Sequence, residues 1–179
     1  MKSFHSILLL QDTPATQLLA AAAAESWPLH ERPVIFLSGD LGSGKTTWAR
    51  AFIHALGWTG PVPSPTYTLI EHYPVAQGNV AHVDLYRLSS PLEAESLGLR
   101  ELHGEVLLLL EWPSKGRGFL PRPDMLLRFA WHPHGRVVRM RSFSNTGKHM
   151  IKAMAARHHV NRETAQTQKR VLGSSVFDS

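Results

Sequence analysis

Residues 39–46 have the sequence GDLGSGKT. It fits the pattern G-x-x-x-x-G-K-[ST], in which a glycine-rich loop wraps a phosphate with its backbone N–H groups. The helix predicted to begin near Lys45 points the positive end of its dipole at the same anion. Lys45 would contact the outer phosphates, and Thr46 would offer its hydroxyl to Mg²⁺. The stretch therefore predicts a nucleotide-binding P-loop.

The residues on both sides of the loop agree with this interpretation. The run at 34–37 is short and continuously apolar, which is typical of a strand buried on both faces. A helix is predicted from about Lys45 to Leu56, and Gly57 follows where a left-handed C-terminal residue is favoured. The loop therefore has a strand before it and a helix after it, as a P-loop requires.

The rest of the chain alternates between predicted strands and helices. The predicted elements are a strand at 4–10, a helix capped by Thr13 and ended by Pro28, strands at 80–84 and 106–111 with a helix at 91–99 between them, strands at 125–131 and 136–140, and a short helix at 150–156. This alternation predicts an α/β fold with a mostly parallel sheet flanked by helices, similar to P-loop NTPases. The last two strands are expected to form a C-terminal antiparallel hairpin.

Two of the predicted strands end in an acidic residue. Asp84 ends one strand and Glu111 ends the other. Open α/β sheets bind their ligands at the carboxyl ends of the strands. One carboxylate could hold Mg²⁺ while the other orients the attacking water, and the sequence leaves open which residue takes which role.

A loop rich in hydroxyl groups follows the P-loop helix at residues 63–69. Its two prolines stiffen the loop. NTPases use a threonine on such a loop to sense the γ-phosphate and Mg²⁺, and Thr66 is the candidate here.

With these pieces in place, the chain resembles the bacterial TsaE (YjeE) family of P-loop ATPases. Four motifs in the same order carry the resemblance, at 39–47, 64–69, 82–88 and 111–113. It extends from the first strand to about Ala156. One departure is Ser114, where the family often has an acid after Glu-Trp-Pro.

The resemblance implies an ATPase, weakly active alone, that uses ATP and Mg²⁺ and resets the TsaD–TsaB synthase between cycles of threonylcarbamoyladenosine formation on tRNA. The protein would reach tRNA indirectly, through these partners, and would bind neither DNA nor membranes. The implied catalytic residues are Lys45, Thr66 and Glu111, the metal ligands are Thr46, Asp84 and Glu111, and the nucleotide-binding residues are Asp40, Leu41, Gly42, Ser43, Gly44, Lys45, Thr46, Thr47 and Trp112.

Two other functions remain open at this stage. A small-molecule kinase on the same scaffold would need an arginine-bearing lid, for which only 114–118 is a candidate. A nucleotide-gated binding module would need no hydrolysis. The remaining tryptophans and the scattered histidines, including His82, are interpreted as packing or surface residues.

The charge of the chain is concentrated at its C-terminal end. The 179 residues include no cysteine and carry a net charge of +5. Residues 1–135 have a net charge of −2 and residues 136–179 a net charge of +7. We therefore expect a cytoplasmic P-loop domain over 1–156 and a basic, flexible tail over 157–179.

Overall fold

The fold is built around a seven-stranded mixed sheet. The structure is a computed structural model that describes the backbone of residues 3–174 and the side chains of residues 3–160. The strands are β1 (His5–Leu10), β2 (Val34–Ser38), β3 (Ile70–Val75), β4 (Gly78–Asp84), β5 (Leu107–Glu111), β6 (Met125–His132) and β7 (Gly135–Ser142), and the α-helices are α1 (Thr13–Glu25), α2 (Lys45–Ala55) and α3 (Asn145–Ser174). Two 3₁₀ helices span Pro91–Leu97 and Pro113–Gly116. None of the described helices is long and apolar enough to cross a membrane.

The strand order is β1-β7-β6-β2-β5-β4-β3. The four central strands, β6, β2, β5 and β4, are parallel, and the antiparallel strands extend the sheet at both edges. This arrangement confirms the predicted α/β class and the C-terminal hairpin. Because β2, β4 and β5 are parallel, their carboxyl ends meet at one edge of the sheet.

The three α-helices pack on one face of the sheet over the larger part of the core. Helix α1 presents fully buried alanines such as Ala20 and Ala23, which leave room for α2 to approach closely. Helix α2 buries Trp48 and Phe52, whose rings stack at 5.2 Å between centroids. This packing fixes the helix that begins directly after the P-loop.

Two predicted helices differ in detail from the structure. The predicted N-cap Thr13 is wrong, because Asp12 caps α1 by accepting a hydrogen bond from the backbone N–H of Ala15 at 2.8 Å. Aspartate is a stronger N-cap than threonine, so the helix begins with Thr13 inside it. The helix predicted at 91–99 is a 3₁₀ helix that ends at Leu97.

Strand β3 was not predicted from the sequence. It contains Pro74, which normally argues against a strand. In the structure β3 lies at the edge of the sheet and pairs only with β4. An edge strand tolerates a residue that cannot donate a backbone hydrogen bond.

Helix α3 is longer than the helix predicted at 150–156. It runs over Asn145–Ser174 and therefore continues past Arg157. The sequence from 157 to 172 contains neither proline nor glycine, so nothing in it breaks the helix. The division of the chain into a domain and a tail at 157 stays a prediction.

The buried ring of Phe52 generates a prediction about stability. Phe52→Ala removes a fully buried side chain and should lower the free energy of unfolding by about 3–5 kcal/mol. Phe143→Ala is the matched control, because Phe143 is 41% exposed and should cost less than about 1 kcal/mol. Urea unfolding measures both values, and equal losses in the two variants would contradict this packing.

Candidate functional site

The P-loop lies tightly against strand β6. Gly39 has a φ of 140°, and a Cβ atom placed on it would lie 2.3 Å from the carbonyl oxygen of Phe129. No larger residue fits at this position, because the contact is with backbone that cannot move aside. The glycine therefore sets the path of the loop from β2 toward α2.

Lys45 is a buried cation held by the loop itself. Its Nζ donates hydrogen bonds of 2.9 Å to the carbonyl oxygens of Gly39 and Asp40. Only 4% of Lys45 is exposed, and within the described residues it forms no ion pair. Burial lowers the pKa of the Lys45 ammonium, and the nearby carboxylates, Glu111 foremost, offset part of this effect. An anion in the loop would stabilise the charged form further.

The two acidic residues are neighbours on adjacent parallel strands. Asp84 on β4 lies in register with Glu111 on β5, and Glu111 lies in register with Leu37 on β2. Residues in register on paired strands point to the same face of the sheet. Both carboxylates therefore reach the face that carries the P-loop and α2. Both are nearly fully buried, with 3% and 1% of their surface exposed.

Both oxygens of the Glu111 carboxylate accept a hydrogen bond. The hydroxyl of Thr46 donates to Oε2 at 2.9 Å, and Nε2 of His82 lies 2.9 Å from Oε1. His82 is fully buried. Glu111 is thus held from the α2 side and from the β4 side at once, which fixes the direction of the carboxylate.

Asp84 ties the hydroxyl-rich loop to the sheet. Its Oδ2 accepts hydrogen bonds from Thr66 at 2.8 Å and from Ser64 at 3.1 Å. Its Oδ1 accepts the backbone N–H of Tyr86 at 2.9 Å. The position of this loop therefore depends on the same carboxylate group that is predicted to be a metal ligand.

Backbone strain flanks the two acids. Within the described part of the chain, Leu69 and Trp112 are the non-glycine residues with a positive φ, at 65° and 59°. The carbonyl of Leu69 accepts the backbone N–H of Asp84 at 3.0 Å. The Trp112 ring lies 3.9 Å from Nζ of Lys45, measured to its centroid. Strained residues of this kind are held in place by their surroundings and cluster at functional sites.

One pocket gathers most of the residues predicted for the site. Its lining consists of Leu41, Gly42, Gly44, Lys45, Thr46, Thr47, Ser64, Thr66, Asp84, Tyr86, Glu111 and Trp112. Two predicted residues lie apart from it. Asp40 lines a neighbouring pocket together with Ser114, and Ser43 is buried with no hydrogen-bond partner for its hydroxyl among the described residues.

The contact between His82 and Glu111 was not predicted from the sequence. His82 was interpreted as a packing residue, although the alternation along the strand places it on the same face as Asp84. A buried histidine two residues before a site carboxylate was the available signal. No roles were predicted from the sequence for Tyr86 and Arg87. In the structure the Arg87 guanidinium lies 4.3 Å from the ring centroid of Tyr67 on the hydroxyl-rich loop.

The donor atoms around the pocket suit a hard divalent cation. Thr46, Asp84 and Glu111 offer one hydroxyl and two carboxylates, and oxygen ligands are what Mg²⁺ prefers. The described residues contain no group of three or more histidine, cysteine, aspartate or glutamate side chains placed to hold a metal. One or two carboxylates and a hydroxyl are a donor set that fits a Mg²⁺ ion also bound by phosphate oxygens.

The parallel strands, the glycine-rich loop and the helix behind it define a P-loop protein of the α/β class. The family model described as "Threonylcarbamoyl adenosine biosynthesis protein TsaE" matches residues 10–138. The chain belongs to the TsaE family, which confirms the resemblance found in the sequence.

Known relatives agree with this assignment. A Haemophilus influenzae protein called tRNA threonylcarbamoyladenosine biosynthesis protein TsaE is 40% identical over 123 residues, which cover 68% of this chain and 78% of the relative. The Bacillus subtilis protein of the same name is 41% identical over 103 residues, which cover 57% and 61%. The crystal structure of Bacillus subtilis YdiB superposes with a TM-score of 0.67 at 25% identity, covering 87% of this chain and 95% of that one.

The buried contact between His82 and Glu111 generates a second prediction. His82→Leu keeps a side chain of similar bulk but leaves Oε1 of Glu111 without its partner. We expect the free energy of unfolding to fall by about 1–3 kcal/mol, because a buried polar group loses its hydrogen bond. His82→Gln, which keeps a donor, should recover part of this loss. Urea unfolding at neutral pH compares the variants, and a Leu variant as stable as the Gln variant would contradict the role given to the hydrogen bond.

Proposed function

We propose that this protein is a Mg²⁺-dependent ATPase that acts as an accessory and resetting factor, with TsaD and TsaB, in threonylcarbamoyladenosine modification of tRNA. The observation that carries the proposal is the buried Lys45 ammonium, which lines the pocket beside the loop glycines and carries no carboxylate ion pair among the described residues. Membership of the TsaE family and the names of the relatives support the pathway. A cytoplasmic location stays a prediction.

Phosphate binding follows from the loop and from Lys45. Helix α2 begins directly after Gly44 and has no side-chain hydrogen bond at its N-cap, so the positive end of its dipole is available to an anion in the loop. The ammonium now bonded to two loop carbonyls would transfer these contacts to phosphate oxygens, which are stronger acceptors because they are charged. Lys45 therefore acts as the principal charge for the outer phosphates.

Thr46 and Asp84, with Glu111, would hold Mg²⁺ beside the phosphates. When bound, the cation neutralises charge on the β- and γ-phosphate oxygens. Glu111 has a second task, because its fixed carboxylate is a hydrogen-bond acceptor that can orient a water for in-line attack on the γ-phosphorus. The hydrogen bonds from His82 and Thr46 keep that acceptor aimed into the pocket.

The loop at 64–68 can report the nucleotide state. Thr66 and Ser64 both donate to Oδ2 of Asp84, so any ligand that takes this oxygen competes with them. Tyr67 follows Thr66 in this loop and is 82% exposed. A shift of the loop would therefore change the surface offered to TsaD and TsaB.

The kinase alternative gains no support from the proposed lid. Residues 113–116 form a 3₁₀ helix, and Lys115 donates to the carbonyl oxygen of Leu88 at 3.2 Å. Neither Lys115 nor Arg117 lines the pocket at the P-loop. The residues proposed for a kinase lid are therefore not placed at the phosphate site among the described residues.

Phosphate release from ATP with Mg²⁺ tests the proposed chemistry. Lys45→Ala should abolish ATP binding, and Glu111→Gln should lower the rate about a hundredfold or more while ATP still binds. Glu105→Gln is the matched control, because Glu105 is exposed and lies outside the pocket. A Glu111→Gln variant that hydrolyses ATP normally would exclude the role of Glu111. Formation of ADP that requires an added acceptor and releases no free phosphate would favour a kinase.

Thr66→Val tests the coupling between the loop and Asp84. The substitution keeps the shape of the side chain and removes the hydroxyl, and it should lower nucleotide-dependent association with TsaD and TsaB about three- to tenfold. Thr68→Val is the control, because no hydrogen bond of the Thr68 side chain is found among the described residues. Pull-downs with the two partners in ATP and in ADP measure the effect. If the unmodified protein associates with TsaD and TsaB equally well in ATP and in ADP, the partner proposal is contradicted.

A further inference from the structure

An aromatic ring and a guanidinium from the β6–β7 hairpin lie beside the P-loop. Trp131 on β6 is in register with Arg136 on β7. The guanidinium carbon of Arg136 lies 4.5 Å from the centroid of the Trp131 ring. Although this contact covers one side of the ring, 58% of Trp131 remains exposed. A large exposed tryptophan on an ordered hairpin is a candidate for ligand stacking.

The pair is in contact with the loop glycines. A Cβ placed on Gly42 would lie 3.5 Å from Cζ2 of Trp131, and one placed on Gly44 would lie 3.3 Å from Cδ of Arg136. Arg136 also donates to the carbonyl oxygen of Gly42 at 3.4 Å. Because Gly42 and Gly44 both line the pocket, Trp131 and Arg136 border it from outside the loop.

Trp131 and Arg136 lie on the side of the P-loop opposite the one that carries Glu111. Strand β2 leads into the loop, with β5 on one side and β6 on the other. Glu111 is the last residue of β5 and Trp112 follows it, whereas Trp131 belongs to β6. The Trp112 ring contacts the Lys45 ammonium, and the centroid of the Tyr86 ring lies 5.0 Å from the centroid of the Trp112 ring. Under the proposed function, the outer phosphates would therefore lie on the β5 side.

We propose that Trp131 is the platform on which the base of the bound nucleotide stacks, with Arg136 holding the ring beside the loop. The inference rests on the proposed function, since it takes the phosphates to lie at Lys45. A nucleotide with its outer phosphates beside Glu111 extends its nucleoside toward the β6 side, where Trp131 offers an open aromatic surface. Stacking tolerates any base, so Trp131 contributes affinity for ATP and GTP alike.

Calorimetric titration with ADP and with inorganic tripolyphosphate, each with Mg²⁺, tests this site. Trp131→Ala should weaken ADP binding about tenfold, because stacking on the base is lost, and leave tripolyphosphate binding unchanged. Trp131→Phe should restore most of the ADP affinity. Phe143→Ala is the matched control, because Phe143 also stacks with an arginine, Arg141, at 4.9 Å, but just beyond the other end of β7.

The outcomes separate this inference from the proposed function. If the unmodified protein binds both ligands and Trp131→Ala binds ADP as tightly, the stacking role is wrong and the phosphate site stands. If Trp131→Ala loses affinity for ADP and tripolyphosphate equally, the residue supports the loop and not the base, which also overturns the inference. If the unmodified protein binds neither ligand, the proposed function and the inference both fail.

Discussion

The site depends on one buried carboxylate that is held from two sides. Glu111 accepts a hydrogen bond from Thr46 at the start of α2 and contacts His82 on β4, at 2.9 Å in each case. A carboxylate that is only 1% exposed is costly to bury unless its oxygens have partners. These contacts join the helix after the P-loop to the two strands that carry the acids. The chemistry proposed for the pocket requires this arrangement.

The parallel centre of the sheet explains why these groups can meet at all. The loop at 39–46, Asp84 and Glu111 are far apart in sequence, and each follows or ends a strand whose neighbour runs in the same direction. Leu69 and Trp112, which both have a positive φ, lie next to the two acids: the carbonyl of Leu69 accepts the backbone N–H of Asp84, and Trp112 directly follows Glu111. Lys45 completes the site with a charge that burial makes unfavourable, so binding of an anion would relieve a cost already present in the free protein.

The sequence predicted the parts of the site that have local signatures. The spacing of glycines and Lys45, and the apolar runs ending in Asp84 and Glu111, required no knowledge of the tertiary structure. Three features were hidden because they depend on contacts between distant segments. The partner of His82 lies on another strand, and Trp131 meets the loop only when β6 pairs with β2. Strand β3 contains Pro74, which only an edge position makes acceptable.

We expect a bound phosphate to draw the Lys45 ammonium away from the two loop carbonyls that hold it in the free protein. The most direct test is a crystal structure of this chain with Mg²⁺ and a non-hydrolysable ATP analogue. We expect the triphosphate in the pocket between the loop and Glu111, with the Lys45 ammonium in contact with its outer phosphates. A nucleotide bound elsewhere, or a Lys45 that keeps both of its bonds to the carbonyls of Gly39 and Asp40 beside a bound triphosphate, would contradict the account.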